Sequence, residues 1–99
     1  MDLILYPRED LPHGLWLFLN EHPGARVRIH TLGRRPLEGT FEEFHREPDG
    51  DITWVVIRIQ DQLHYFRWKW EHQQLMNQRG WVAEIRDFAG DEQFSRGAP

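Results

Sequence analysis

The chain is poor in several features that mark common functional classes. It has no cysteine, which excludes disulfides, thiol catalysis and cysteine-based metal centres. Its longest apolar run, residues 15–19, has five members, whereas a membrane-spanning helix needs roughly 18. No basic segment followed by an apolar one opens the sequence, so no secretory signal is expected. We therefore expect a cytoplasmic protein with no membrane partner.

Lysine is also scarce, and aromatic residues are abundant. The chain has one lysine, eleven arginines and sixteen acidic residues, which gives a net charge of −4. Proteins that bind phosphate backbones usually carry a net positive charge, so nucleic acid is a possible but disfavoured partner. Five Trp, two Tyr and six Phe occur among the 99 residues. This length predicts one modest domain, assigned to residues 1–88, followed by a flexible C-terminal tail over residues 89–99.

A helix is predicted near the N-terminus. Asp10 is suited to an N-cap, and the His-Pro-Gly sequence from His22 ends the segment, so the helix should span residues 11–21. A short edge strand is predicted over residues 3–6, before Pro7. Trp16 lies off the apolar stripe of the helix and is expected to be partly exposed.

The rest of the chain alternates apolar and polar residues, as strands do. Strands are predicted over residues 26–31, 37–44, 52–59, 63–70 and 81–88. Gly39 should lie where the second strand bends, with a bulge nearby because Phe44 breaks the alternation. The fourth strand should present His64, Phe66, Trp68 and Trp70 on one face.

Residues 71–78 are predicted to form one or two helical turns closed by Gly80. The fold class is therefore mainly β with one N-terminal helix: a small, strongly bent five-stranded antiparallel sheet or barrel. The expected core contains the apolar residues that share a face in these elements. They are Leu15, Leu19, Val27, Ile29, Phe41, Val55, Ile57 and Phe66.

Residues 27–45 resemble the first motif of the Sm-like (Lsm) family of small β-barrels. The resemblance is carried by Val27, Ile29, Gly33, Leu37, Gly39, Phe41 and Phe44. It implies an Sm-like barrel and, as a function, RNA binding by a ring of subunits. His45 stands where the family usually has Asp, and residues 63–70 do not match the family's second motif, so the RNA-base pocket of the family is not reproduced.

Catalytic and metal-binding patterns are missing. None of the six histidines is spaced as zinc ligands usually are on a helix or strand. The one serine, Ser95, lies in the predicted tail, and there is no glycine-rich phosphate loop. We therefore predict that the protein is not an enzyme and that it needs no metal and no cofactor.

Two functional hypotheses follow. Tyr65, Arg67 and Lys69 share one face of a predicted strand, and with Trp16 they provide the residue types that dominate protein interfaces. The first hypothesis is a non-catalytic adaptor or regulatory module that acts through a protein partner or through self-association.

The second hypothesis is an Sm-like module that binds RNA or another single-stranded nucleic acid. It would use Arg26, Arg28 and His30, which share one face of the first strand after the helix.

Overall fold

A closed antiparallel β-barrel capped by one helix is the architecture of the described part of the chain. The computed structural model describes residues 11–48 and 53–88. The elements, in chain order, are α1 (His13–Glu21), β1 (Arg26–His30), β2 (Leu37–Arg46), β3 (Thr53–Ile59), β4 (Gln62–Lys69), β5 (Gln74–Met76) and β6 (Val82–Ile85). Each strand pairs with the next, and β6 pairs with β1. The predicted fold class is confirmed, with six strands in place of five.

Some predicted features lie outside the described residues. They are the edge strand at residues 3–6, the N-cap Asp10, the strand residue Ile52 and the tail at residues 89–99. Within the described residues, α1 begins two residues later than predicted, with Pro12 at the N-cap position. The last predicted strand, at residues 81–88, is shorter and runs only from Val82 to Ile85.

The core lies inside the barrel and is closed by α1. All eight predicted core residues are buried, because the alternating strands turn their apolar face inward. Leu11 joins Leu15 and Leu19 on the buried side of the helical segment. Leu75, Ile59, Ala83 and Ile85 complete the apolar interior.

Gly39 allows two strands of the barrel to approach closely. A Cβ atom built on Gly39 would lie 2.7 Å from the backbone oxygen of Arg58 and 3.0 Å from side-chain carbons of Ile57 and Ile59. The register between β2 and β3 then shifts between Phe41 and Glu43. The predicted bulge near Gly39 is confirmed.

The predicted helical turns at residues 71–78 are wrong. Leu75 instead lies at the centre of β5, where it pairs with Trp68 on one side and Ala83 on the other and is fully buried. Gln73 has a φ of 54°, which is incompatible with a continuing right-handed helix. The gain from burying Leu75 and pairing its backbone outweighs the local preference of this polar segment for helix.

The tight turn after β4 also changes the predicted position of Trp70. Trp68 packs against the core as expected. Trp70 lies beyond the end of β4 and is 47% exposed, so it does not share the inward face predicted for it.

Candidate functional site

A cluster of rings and one guanidinium lies on the outer face of β2, β3 and β4. Tyr65 and Arg67 flank the buried Phe66, so both point away from the core. His45 is the register partner of Trp54 on the adjacent strand. We call these four residues, His45, Trp54, Tyr65 and Arg67, the aromatic patch.

Ring contacts hold the aromatic patch together. The Tyr65 ring meets the His45 ring edge-on at 5.8 Å and the Trp54 ring edge-on at 6.3 Å between centroids. The Arg67 guanidinium carbon lies 5.3 Å from the centre of the Trp54 ring, a distance at which a cation is attracted by the ring face. Trp54 Nε1 donates a hydrogen bond to Glu47 Oε2 at 2.8 Å. Trp54 is therefore fixed in orientation from both sides.

Beneath the aromatic patch lies a buried aliphatic residue outside the main core. Val56 alternates with the inward-facing Val55 and Ile57, yet it is 0% exposed. Its cross-strand partner on β4 is Tyr65, which is itself 45% exposed. Outer-face side chains thus cover Val56, and the patch has an apolar floor like that of a protein interface.

A groove of about 490 Å³ runs beside the aromatic patch. Three patch residues, His45, Trp54 and Tyr65, line it together with Glu47, Leu63 and His64, and residues 77–79 of the turn between β5 and β6 form the opposite wall. Asn77 stiffens this turn, because its Oδ1 accepts hydrogen bonds at 3.0 Å from the backbone N–H groups of Arg79 and Trp81. The groove therefore has two preformed walls.

His64 is the titratable group at the inner side of this groove. Its ring lies 5.5 Å from that of Trp81, and the Arg79 guanidinium lies 5.1 Å from the Trp81 ring on the same turn. Burial lowers the pKa of His64 below its ordinary value, and the positive charge of Arg79 lowers it further. Both effects favour the uncharged form of His64 beside Arg79.

The structure brings together only some of the predicted interface residues. Tyr65 and Arg67 share the aromatic patch, and the half-buried Lys69 continues their strand, opposite Gln74. Trp16 lies elsewhere: it packs against the core and stacks on Phe44 at 6.2 Å. Phe44 also packs against the core, whereas its neighbour His45 faces outward, so Trp16 does not extend the patch.

Sequence reasoning missed two members of the aromatic patch. Trp54 alternates with the buried Val55 and Ile57, and this was the available signal that its ring faces outward. For His45 the signal was the break in alternation at Phe44, which turns His45 outward, but its pairing with Trp54 depends on the register of β2 against β3.

The predicted nucleic-acid residues lie on a different outer surface, formed by β1 and its neighbours β2 and β6. Arg28 Nε lies 3.5 Å from Glu38 Oε2, and His30 Nε2 lies 2.8 Å from Glu84 Oε1. Arg26 is exposed at the other end of β1. Acidic side chains therefore interrupt the basic row, which weakens the positive potential that a phosphate backbone requires.

Within residues 11–48 and 53–88, no group of three or more His, Asp or Glu side chains is arranged to hold a metal ion. The helix in these ranges is too short to cross a membrane. Comparison of the chain with protein-family models, curated proteins and solved structures gives no match. The resemblance to Sm-like proteins therefore stays a prediction.

Proposed function

We propose that the protein is a non-catalytic adaptor or regulatory module that binds a protein partner through the aromatic patch. The observation that carries this proposal is an outward-facing Trp–Tyr–Arg cluster on a rigid sheet, with Tyr65 and the neighbouring Leu63 each 45% exposed. The few residues that carry most of the binding energy in protein interfaces are enriched in tryptophan, tyrosine and arginine.

The geometry of the patch favours binding at low entropic cost. Trp54 is held by Glu47 and by Arg67 before any partner arrives. Side chains that are ordered in the free protein lose little rotamer freedom on association, so more of the contact energy appears as affinity. Tyr65 can then contribute its ring to an apolar contact while its hydroxyl stays available for a hydrogen bond.

The RNA-binding alternative is less well supported. Arg28 and His30 have acidic partners on the neighbouring strands, and the chain carries a net charge of −4. Self-association through the same patch is a form of the first hypothesis and is decided by the mass of the protein in solution. A cytoplasmic location stays a prediction from the sequence.

The test is capture of a partner with matched surface variants. The purified protein, Tyr65→Ala and Leu32→Ala serve as bait, and bound proteins are quantified by mass spectrometry. Leu32 is a suitable control because it is 76% exposed and lies in the turn between β1 and β2, outside the patch. A purified partner should bind Tyr65→Ala about 30-fold more weakly, as expected for an interface hot spot worth about 2 kcal/mol.

Leu32→Ala should bind the same partner within about twofold of the wild type, since isolated exposed residues contribute little. Thermal melts of both variants check that the barrel is intact. The proposal is wrong if no captured protein depends on Tyr65 and the chain instead binds a short single-stranded RNA at micromolar concentration in physiological salt.

A further inference from the structure

One side of β4 is left without a neighbouring strand over more than half of its length. Residues 62–66 pair with β3 on one side. On the other side, β5 reaches only residues 67–69. Among the described residues, no strand lies beside residues 62–66 on that second side, although the barrel closes through β5 and β6. Such a stretch is a template for an added strand.

The hairpin that precedes β4 determines which backbone groups point to this free side. Gln60 and Asp61 form a two-residue turn with φ values of 52° and 67°, as a type I′ hairpin requires. In such hairpins the flanking pair, here Ile59 and Gln62, exchanges both hydrogen bonds, and alternate pairs follow. The N–H and C=O groups of Leu63 and Tyr65 therefore point away from β3.

The groove described above lies along this free side. Its lining includes residues from both faces of β4: Leu63 and Tyr65 from the outer face and His64 from the inner face. A cavity that touches both faces of a strand lies at the edge of that strand. The stiff turn at residues 77–79 forms the far wall, so an extended chain would lie between two fixed surfaces.

Basic side chains lie on β4 and on the far wall of the groove. Arg67 and Lys69 lie on β4, which contains no acidic residue, and Arg79 lines the far wall. The acidic residue in the groove lining, Glu47, is hydrogen-bonded to Trp54 of β3, on the other side of β4 from its free edge. An occupant with acidic side chains is therefore electrostatically complementary to this edge.

We propose that an extended acidic peptide segment of the partner adds as a strand beside β4. Its backbone pairs with the free groups of Leu63 and Tyr65, its apolar side chains pack against these two residues on the outer face, and its carboxylates, on the opposite face of the added strand, face Arg79. Main-chain pairing supplies affinity and the alternate side chains supply selectivity, as in other cases of strand addition. This inference rests on the proposed adaptor function and names the chemistry of its partner.

The experiment uses short capped peptides with a fluorescent label and the full chain. One peptide alternates valine and glutamate, and a second alternates valine and lysine. Two further versions of the acidic peptide carry backbone N-methyl groups, one on its valines and the other on its glutamates. Binding is followed by fluorescence anisotropy, and the amide signals of Leu63 and Tyr65 are followed by NMR.

The acidic peptide should bind at least about tenfold more tightly than the basic one. N-methylation of the peptide residues whose N–H groups point toward β4 should weaken binding about tenfold, because their hydrogen bonds to β4 are lost. N-methylation of the residues whose N–H groups point away from β4 should change binding little. The Leu63 and Tyr65 amides should shift and exchange more slowly. Arg79→Gln should weaken binding about two- to fivefold, and the exposed control Arg34→Gln should not.

Four results would overturn the inference. The first is no binding of the acidic peptide, and the second is equal weakening by both N-methyl patterns. The third is tighter binding of the basic peptide. The fourth is a dimer in solution whose Leu63 and Tyr65 amides are protected without peptide, since a second copy would then occupy the edge. If partner capture depends on Tyr65 but N-methylation has no effect, the adaptor function survives and strand addition fails.

Discussion

Replacement of Gly39 by alanine should destabilise the barrel through one steric contact. The new methyl group would lie 2.7 Å from the carbonyl oxygen of Arg58, well inside van der Waals contact. Because the obstacle is backbone, it cannot rotate away as a side chain could, and β2 and β3 must separate locally. Overpacking of this kind costs about 1–3 kcal/mol.

A smaller effect, on the entropy of the unfolded chain, makes the alanine variant more stable. Alanine restricts the unfolded chain more than glycine does, which favours folding by about 0.4–1 kcal/mol. Since the clash at Gly39 involves the backbone of Arg58 and also side-chain carbons of Ile57 and Ile59 at 3.0 Å, its cost lies near the upper end of the range. We expect a net loss of about 2 kcal/mol, which lowers the melting temperature of a domain this size by about 10 °C.

The assay is chemical denaturation of the wild type, Gly39→Ala and Gly33→Ala. Gly33 has a φ of 69° and nothing within 4 Å of a built Cβ, so its substitution has only the left-handed backbone cost of about 1 kcal/mol. Gly39→Ala should therefore be the less stable variant. A Gly39→Ala protein within about 0.5 kcal/mol of the wild type would refute the proposed contact with β3.

Three further predictions concern the core, the turn wall and pH. Ile57→Ala should lower the unfolding free energy by about 2–5 kcal/mol in denaturant, because Ile57 is fully buried; a loss under about 1 kcal/mol would contradict its inward orientation. Asn77→Ala should lower it by about 1 kcal/mol, since the backbone N–H groups of Arg79 and Trp81 lose their acceptor, while Gln78→Ala should have little effect. Burial lowers the pKa of folded His64 below its ordinary value of 6.5, so the unfolded chain binds the proton first and stability falls as the pH drops below about 6.5. Stability measured between about pH 7.5 and pH 5.5 should thus fall more steeply for the wild type than for His64→Gln, and equal slopes would contradict this assignment.

The fold could be predicted because burial has a period of two in most of the strands. Val27 and Ile29 in β1, and Val55 and Ile57 in β3, alternate with outward residues, and all four are buried. Glycine added information at one position: a side chain at Gly39 would meet the backbone of β3. These signals are local, so one sequence is enough to read them.

The features that could not be predicted depend on distant partners. The strand β5 has three residues, too few to show a period, and it exists because Leu75 pairs with Trp68 and Ala83. The position of Trp16 depends on Phe44, which the sequence places 28 residues away. The helical spacing shows that Leu15 and Leu19 face the core. It does not show that the ring of Phe44, on β2, packs against Trp16 beside them.

The aromatic patch was half predicted for the same reason. Alternation around Phe66 places Tyr65 and Arg67 on one outer face. The addition of His45 and Trp54 requires the β2–β3 register, which the bulge between Phe41 and Glu43 shifts. A one-residue change in register reverses the face on which every later side chain lies.

The most direct test of the proposed function is a footprint of the chain bound to its captured partner. Solvent accessibility of side chains is measured by oxidative labelling and mass spectrometry, with and without the partner. Protection should centre on His45, Trp54 and Tyr65, while the exposed Leu32 stays accessible. Unchanged labelling of these three rings, with protection instead at His30 when single-stranded RNA is added, would contradict the adaptor function and favour the nucleic-acid alternative.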